Sequence, residues 1–288
     1  MSMHKHVFHN DRVLPLEQVR LSPGQAGLLN GWGIFSTLRI YEGRPFAFER
    51  HWERLRRDAE RVNLPLLYEK EQVRTAISQL LQTNDVKDGC LRIYFVYNQI
   101  GIWCSQEKMP VTDCIMYTVD LPMRSGPVRL GLLEHGRYAA HPLAGVKVTS
   151  WLENVWAAEK ARGGGFEDMV LLNEHGCVAE CTAANLFFVH SGRVSTPAQN
   201  SGCLAGVSRQ ILLEMGSSSA VPVAEAEITI EEMWAADEVF ISSTTREVQP
   251  VSCIENHEYK PAPGPVTERL ARSFTEYVRS YAAKEAAR

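Results

Sequence analysis

The sequence predicts an α+β chain of two domains, and three features of it point to that class. Residues 1–120 mix apolar patterns of period two with patterns of period 3.6. Residues 121–127, "LPMRSGP", set two prolines, a glycine and a serine between two strand patterns. Residues 128–288 then return to hairpins, short helices and one long C-terminal helix. We therefore expect a small α+β domain over 1–120, a linker over 121–127 and a larger domain over 128–288.

The chain opens strand, turn, strand, with the turn at Asn10-Asp11. His4 and His6 fall on one face of that first strand and Val7 on the other, which reads as an exposed strand and not as a metal site. "IFSTLRIYEGRPFAF" is two strands around Glu42-Gly43, a hairpin signal. In "ERHWERLRRDAERVNL", Trp52, Leu55, Ala59 and Val62 recur at helical spacing. Val73, Ile77, Leu80 and Leu81 mark a second helix. "GCLRIYFVYN" and "TDCIMYTVDL" are strands by their branched and aromatic content.

Past the linker, "VRLGLLEH" is a strand and Lys147 stands at a strand end before a helix. "DMVLLNEHGCVAE" turns at Asn173–Gly176, and "NLFFVHSGRVSTP" turns at Ser191-Gly192. "SRQILLEM" is a short helix and "EVFISSTT" a strand. The last helix carries a packing stripe of Val266, Leu270, Phe274, Tyr277, Val278 and Tyr281. "GGG" at 163–165 has no strand before it and no helix after it, so it reads as a helix stop and not as a phosphate loop.

Composition excludes several classes. A 45% hydrophobic content is enough for a large core, and a net charge of -4 with interspersed signs leaves no basic stripe for nucleic acid. No apolar run approaches the ~20 residues of a membrane span, and the N-terminus has no apolar signal core. Seven cysteines without a C-x-x-C pair read as reduced thiols of a cytoplasmic protein. Cys177 and Cys181 lack a second pair at zinc spacing, so no metal is expected.

The chemistry centres on Lys147 and Glu180. A Lys in an apolar pocket loses solvation, and its neutral, nucleophilic form becomes accessible, as Schiff-base chemistry requires. Taken alone, a strand-end Lys reads as solvated. Glu180 lies among small and apolar residues in "CVAECTAANLF", where a carboxylate needs a partner. That partner is either a structural Arg or the ring nitrogen of pyridoxal phosphate, which a carboxylate keeps protonated. Gly206, Val207 and Ser208 open a helix and offer amides to an anion. Thr244 and Thr245 add hydroxyls, and Arg54 a guanidinium fork.

In order, H-x-x-R-L (51–55), Lys147, E-x-x-x-x-N-L-F (180–187), L-x-G-x-S-R (204–209), E-V-F-x-S-x-T (238–244) and G-P-V-T (264–267) resemble the class IV aminotransferases. These are the fold-type IV pyridoxal-phosphate enzymes: branched-chain and D-amino acid aminotransferases and 4-amino-4-deoxychorismate lyases. The resemblance implies a small α+β domain, a larger β-barrel-like domain with flanking helices, and pyridoxal 5'-phosphate between them. It implies a homodimer whose partner closes the substrate pocket. It also implies roles. Lys147 forms the Schiff base and moves the proton. Glu180 holds the pyridine nitrogen. Arg54, the amides of Val207 and Ser208, and Thr244 hold the phosphate, and Leu204 packs under the ring.

Within the family the pattern is mixed. Branched-chain enzymes carry a Tyr four or five residues after the Lys, where this chain offers Trp151. D-amino acid enzymes use an Arg after the "YF" strand; here Asn98 and Gln99 stand instead. The Gly- and Arg-rich stretch of the lyases is also missing, yet Ser36 and Thr37 look lyase-like, where transaminases usually carry Glu at the first position. Arg92 resembles a strand Arg that helps to bind a substrate carboxylate. Phe35, Tyr94, Tyr97 and Trp103 are the aromatics expected near an apolar substrate, with Thr245 beside Thr244. The expected activity is transfer of an amino group between an apolar, branched-chain-like amino acid and a 2-oxo acid. The alternatives are aminodeoxychorismate lyase and D-amino acid or (R)-amine transaminase. A non-catalytic relative is disfavoured, because Lys147 and Glu180 are both retained.

Overall fold

The computed structural model describes residues 2–100, 111–122, 125–218 and 221–286. The chain divides into two compact units. The first comprises Met1–Met123, Val146–Trp151 and Tyr281–Arg288; the second comprises Arg124–Gly145 and Leu152–Ser280.

The first unit contains β1 (Met3–His9), β2 (Arg12–Pro15), α1 (Ala26–Leu29), β3 (Gly33–Tyr41), β4 (Arg44–Pro45), α2 (Phe48–Arg61), α3 (Lys70–Thr83), β5 (Gly89–Tyr97) and β6 (Thr112–Val119). Its strands form one antiparallel sheet in the order β2-β1-β6-β5-β3-β4. The period-two alternation sorts the residues of this sheet. Ile34, Leu38 and Ile40 of β3, Leu91, Ile93 and Phe95 of β5, and Met116 of β6 enter the core. They pack there against Trp52, Leu55 and Ala59 of α2 and Val73, Ile77 and Leu80 of α3. The opposite face therefore carries Phe35, Arg92, Tyr94 and Tyr117. Phe35 pairs with Tyr94, and Thr37 with Arg92, which pairs in turn with Tyr117.

Lys147 is not at the end of a regular strand. Its segment lies extended along the edge of β3: Val148 bridges Ile34, the Phe35 N–H donates to the Lys147 carbonyl at 3.0 Å, and the Thr149 N–H donates to the Gly33 carbonyl at 2.9 Å. Residues 146–151 thus group with the first unit, whereas the sequence boundary placed them in the second domain. Backbone bonds to a distant strand decide this, and they leave no hydropathy pattern.

The second unit contains β7 (Val128–Leu133), α4 (Leu152–Gly163), β8 (Asp168–Leu172), β9 (Val178–Cys181), β10 (Asn185–His190), β11 (Arg193–Pro197), α5 (Val207–Ser218), β12 (Val223–Ala226), α6 (Ile230–Trp234), β13 (Glu238–Ser243), β14 (Glu247–Ile254), β15 (His257–Glu258) and α7 (Pro265–Ala286), whose last turns belong to the first unit. The main path of its sheet runs β12-β11-β10-β13-β14-β7-β8-β9, with β15 on β14. It is mixed: β11–β12, β14–β7 and β7–β8 are parallel. Leu130, Val170, Leu186, Phe188, Val239 and Ile241 form the centre of its core. Glu238, 5% exposed, caps α7 by accepting from the Val266 and Thr267 amides. The described cysteines are free and buried. No helix among the described residues is long and apolar enough to cross a membrane. Trp103, Cys104 and two residues of the expected linker, 123 and 124, lie outside the described residues.

Candidate active site

The predicted residues gather into two groups, one in each unit. In the first unit, β3 delivers Phe35 and Ser36 to opposite faces. Ser36 is fully buried against α2. Its Oγ accepts from the Arg54 Nη2 at 2.9 Å and lies 2.8 Å from the His51 Nδ1. Arg54 is 6% exposed, and its Nε has no hydrogen-bond partner in the chain. Burial lowers Arg54 to about 10, and nearby Asp58 opposes that shift, so the group is charged at neutral pH. His51 is held well below the usual imidazole range, first by burial and then by Arg54 and Lys147. It is therefore neutral. Asp58, 1% exposed, accepts the Lys147 backbone N–H at 3.2 Å, and burial pushes its carboxyl up.

On the other face, the Lys147 Nζ lies 4.5 Å from the Phe35 ring centroid and 5.7 Å from that of Trp151. Aromatic faces attract such a cation and keep bulk water away from it. Phe35 stacks on Tyr94 at 5.3 Å, meets Trp151 edge-on at 5.8 Å, and Tyr94 stacks on Tyr117 at 5.7 Å. Arg92 ends this ladder: its Nη1 faces the Tyr94 hydroxyl at 3.4 Å, and its buried Nε has no partner in the chain. Burial pushes the Tyr117 hydroxyl up to about 12, so it stays protonated. Tyr97 stacks on Trp32 at 4.3 Å and is not part of the ladder. Asn98 donates to Asp113 at 2.9 Å and accepts from Gln99 at 2.9 Å.

In the second unit, β9 carries Glu180, 8% exposed. Its Oε1 accepts from the Arg137 Nε at 2.9 Å and its Oε2 from the Leu204 N–H at 3.1 Å. The structural Arg and the cofactor were alternatives in the sequence. The structure supplies the Arg, and the carboxylate retains further lone pairs for another donor. Asn185 donates to the Leu204 carbonyl at 2.8 Å, which holds the turn ahead of α5. A Cβ on Gly206 would run into the Asn185 amide oxygen, so this approach requires glycine. Val207 and Ser208 begin α5, where N–H groups have no intrahelical partner. Thr244 and Thr245 form the β13–β14 turn with Arg246, which donates to Gln249 at 2.8 Å and to Asp168 at 3.4 Å. Sequence reasoning missed Asp58, Arg137, Asn185 and the Arg246–Asp168 pair. Their burial follows from tertiary contacts, and only His51 and Asn185 were visible, as letters inside motifs.

Residues 33–254 match the family model for amino-transferase class IV. The chain belongs to the class IV aminotransferases. It is 25% identical over 274 residues to a putative branched-chain-amino-acid aminotransferase of Methanocaldococcus jannaschii, covering 94% of this chain and 95% of the relative. It is 28% identical over 287 residues to a D-alanine aminotransferase of Listeria monocytogenes, covering 94% and 96%. It is 25% identical over 281 residues to an aminodeoxychorismate lyase of Bacillus subtilis, covering 95% of each. Its fold superposes on a branched-chain aminotransferase of Thermoproteus uzoniensis with norvaline, with TM-score 0.87, 24% identity and 96% of each chain covered. It also superposes on a second branched-chain amino acid aminotransferase, from the source abbreviated T.th., complexed with N-(5'-phosphopyridoxyl)-L-glutamate, with TM-score 0.87, 25% identity and coverage of 96% and 95%.

Class IV aminotransferases are pyridoxal-phosphate enzymes, and both groups of residues fit that cofactor. The unpartnered buried Nε of Arg54 suits a phosphate oxygen. The Gly206 turn, which a Cβ would fill, leaves the first amides of α5 open to an anion.

Proposed function

We propose that this aminotransferase moves an amino group between an apolar, branched-chain-like amino acid and a 2-oxo acid. The observation that carries the reading is the aromatic ladder of Phe35, Tyr94 and Trp151 beside the Lys147 amine, ending in Arg92. An apolar side chain packs on such a wall, and the unpartnered Arg92 Nε takes a carboxylate. The bound cofactor supplies the electron sink that lets a Cα proton leave. In this reading Lys147 takes and returns that proton. Glu180, held by Arg137, stays charged against the pyridine nitrogen. Arg54, Thr244 and the amides of Val207 and Ser208 hold the phosphate, with Leu204 under the ring and Thr245 toward the substrate. A second copy of the chain is proposed to cover the exposed Leu152, Val155 and Trp156 of α4. The proposed location is the cytoplasm.

A lyase is the second reading, favoured by Ser36: a neutral hydroxyl, bonded to His51 and Arg54, stands where transaminases usually carry Glu. Half-reactions followed by the cofactor's absorbance separate the two. L-leucine or L-valine should bleach the yellow enzyme, and Arg92→Ala should slow that step about 10- to 150-fold while cofactor loading stays intact. Rapid pyruvate release from aminodeoxychorismate with L-leucine untouched would install the lyase instead. Bleaching by D-amino acids or (R)-amines alone would overturn both.

A further inference from the structure

We propose that Asp58 is a positioning residue of this enzyme: its carboxylate ties the backbone of Lys147 to the helix that carries Arg54. The proposal rests on Lys147 being the lysine that binds the cofactor.

Asp58 is 1% exposed, a costly place for a carboxylate unless it is held by donors. Its Oδ2 accepts the Lys147 N–H at 3.2 Å, and its Oδ1 lies 3.4 Å from the Arg57 Nη2. Arg54 lies one turn earlier on the same face of α2, where i and i+4 side chains are neighbours. The other backbone polar group of Lys147, its carbonyl, accepts the Phe35 N–H at 3.0 Å. Lys147 is thus held by its carbonyl to β3 and by its N–H to α2. Arg54 closes the circuit by donating to Ser36, the residue after Phe35.

This arrangement gives a reason for a buried carboxylate that bonds the backbone of Lys147. With both backbone groups held, the side chain of Lys147 leaves its segment in one direction, along the Phe35 ring. Without the Asp58 bond the N–H is buried without a partner, and residues 146–151 are tethered to β3 alone. Displacement of a reacting group by about 1 Å costs on the order of 10²-fold in rate. The same helix turn sets Arg54, so the grip on a phosphate and the placement of the amine share one support.

The experiment compares Asp58→Ala, which removes the acceptor, with Asp58→Asn, which keeps an amide oxygen in place. Apo-protein is mixed with pyridoxal phosphate or with pyridoxal, which has no phosphate. Samples are quenched with borohydride over time, and the label on Lys147 is quantified by peptide mapping. Labelling of Asp58→Ala should be slower by about 10- to 100-fold with both aldehydes, because the defect lies in the lysine and not in phosphate binding. Asp58→Asn should label within about threefold of wild type. Amide hydrogen exchange at Lys147 should be fast in Asp58→Ala and slow in the other two. If Asp58→Ala does not fold, Asp58→Leu, a nonpolar residue of similar shape, takes its place. Wild-type labelling in the Ala or Leu variant overturns the proposal. So does an Asn variant as slow as Ala, which would make the charge and not the bond responsible. A wild type that takes no label on Lys147 overturns the cofactor role of Lys147, and this proposal with it.

Discussion

Two buried groupings of opposite charge, one in each unit, leave different things open. Around Glu180 both carboxylate oxygens already have donors, from Arg137 and the Leu204 amide. Around Arg54 the fork donates to neutral Ser36, and its Nε has no partner in the chain. The first grouping holds a charge in one place; the second is short of one acceptor. A carboxylate that must act on a ring nitrogen is useful only if it stays charged and still. A guanidinium that must receive a phosphate is useful only if a donor is free.

Substitutions can break or sharpen this contrast. The largest expected effect is on rate. Glu180→Gln keeps an acceptor for the Leu204 amide but loses the charge, so turnover should fall about 10²–10³-fold while cofactor stays bound. Near-normal turnover would make Glu180 purely structural. Next, Arg137→Ala strands a buried carboxylate. Breaking such a pair costs about 3 kcal/mol at the low end, and the slight exposure of both partners places it there. Urea unfolding of the apo-protein should show a loss of this size; a loss under about 1 kcal/mol would show that Leu204 alone suffices.

The smallest effect concerns His51 and pH. Its folded pKa lies well below 6.5, so below that pH the unfolded chain binds a proton that the native chain refuses. Stability therefore falls as pH falls from 6.5 toward the folded pKa, by about 1.4 kcal/mol per unit from this group. His51→Gln should flatten the slope between pH 6.5 and 5.5. The carboxyl of Asp113, held down to about 2, loses its contribution only below the ordinary carboxylate range and leaves that window clear. Equal slopes in wild type and variant would show that His51 is not the group responsible.

Legibility in the sequence follows the range of the interaction. Trp52, Leu55 and Ala59 announce α2 because three turns of one helix repeat the same burial. Lys147 and Glu180 stood out as charges in apolar surroundings, and the motif around each carried the rest. What stayed hidden joins distant residues without a repeat. Arg137 and Glu180 are 43 residues apart, and Asp58 and the Lys147 amide 89. Asp58 looks like one more charge in "RLRRDAER", and only the packing of α2 on β3 turns it inward. The assignment of 146–151 to the first unit was missed for the same reason.

The contact between Gly206 and Asn185 has a historical consequence. A Cβ at 206 would meet the Asn185 amide oxygen, and the same side chain holds the Leu204 carbonyl. Neither position can change freely while the other stays, since touching residues do not contribute additively. A lineage that enlarges 206 must first shorten 185 and pass through an ancestor whose turn is held less firmly. The two positions are therefore expected to vary together or not at all, and the order of the steps is part of the constraint.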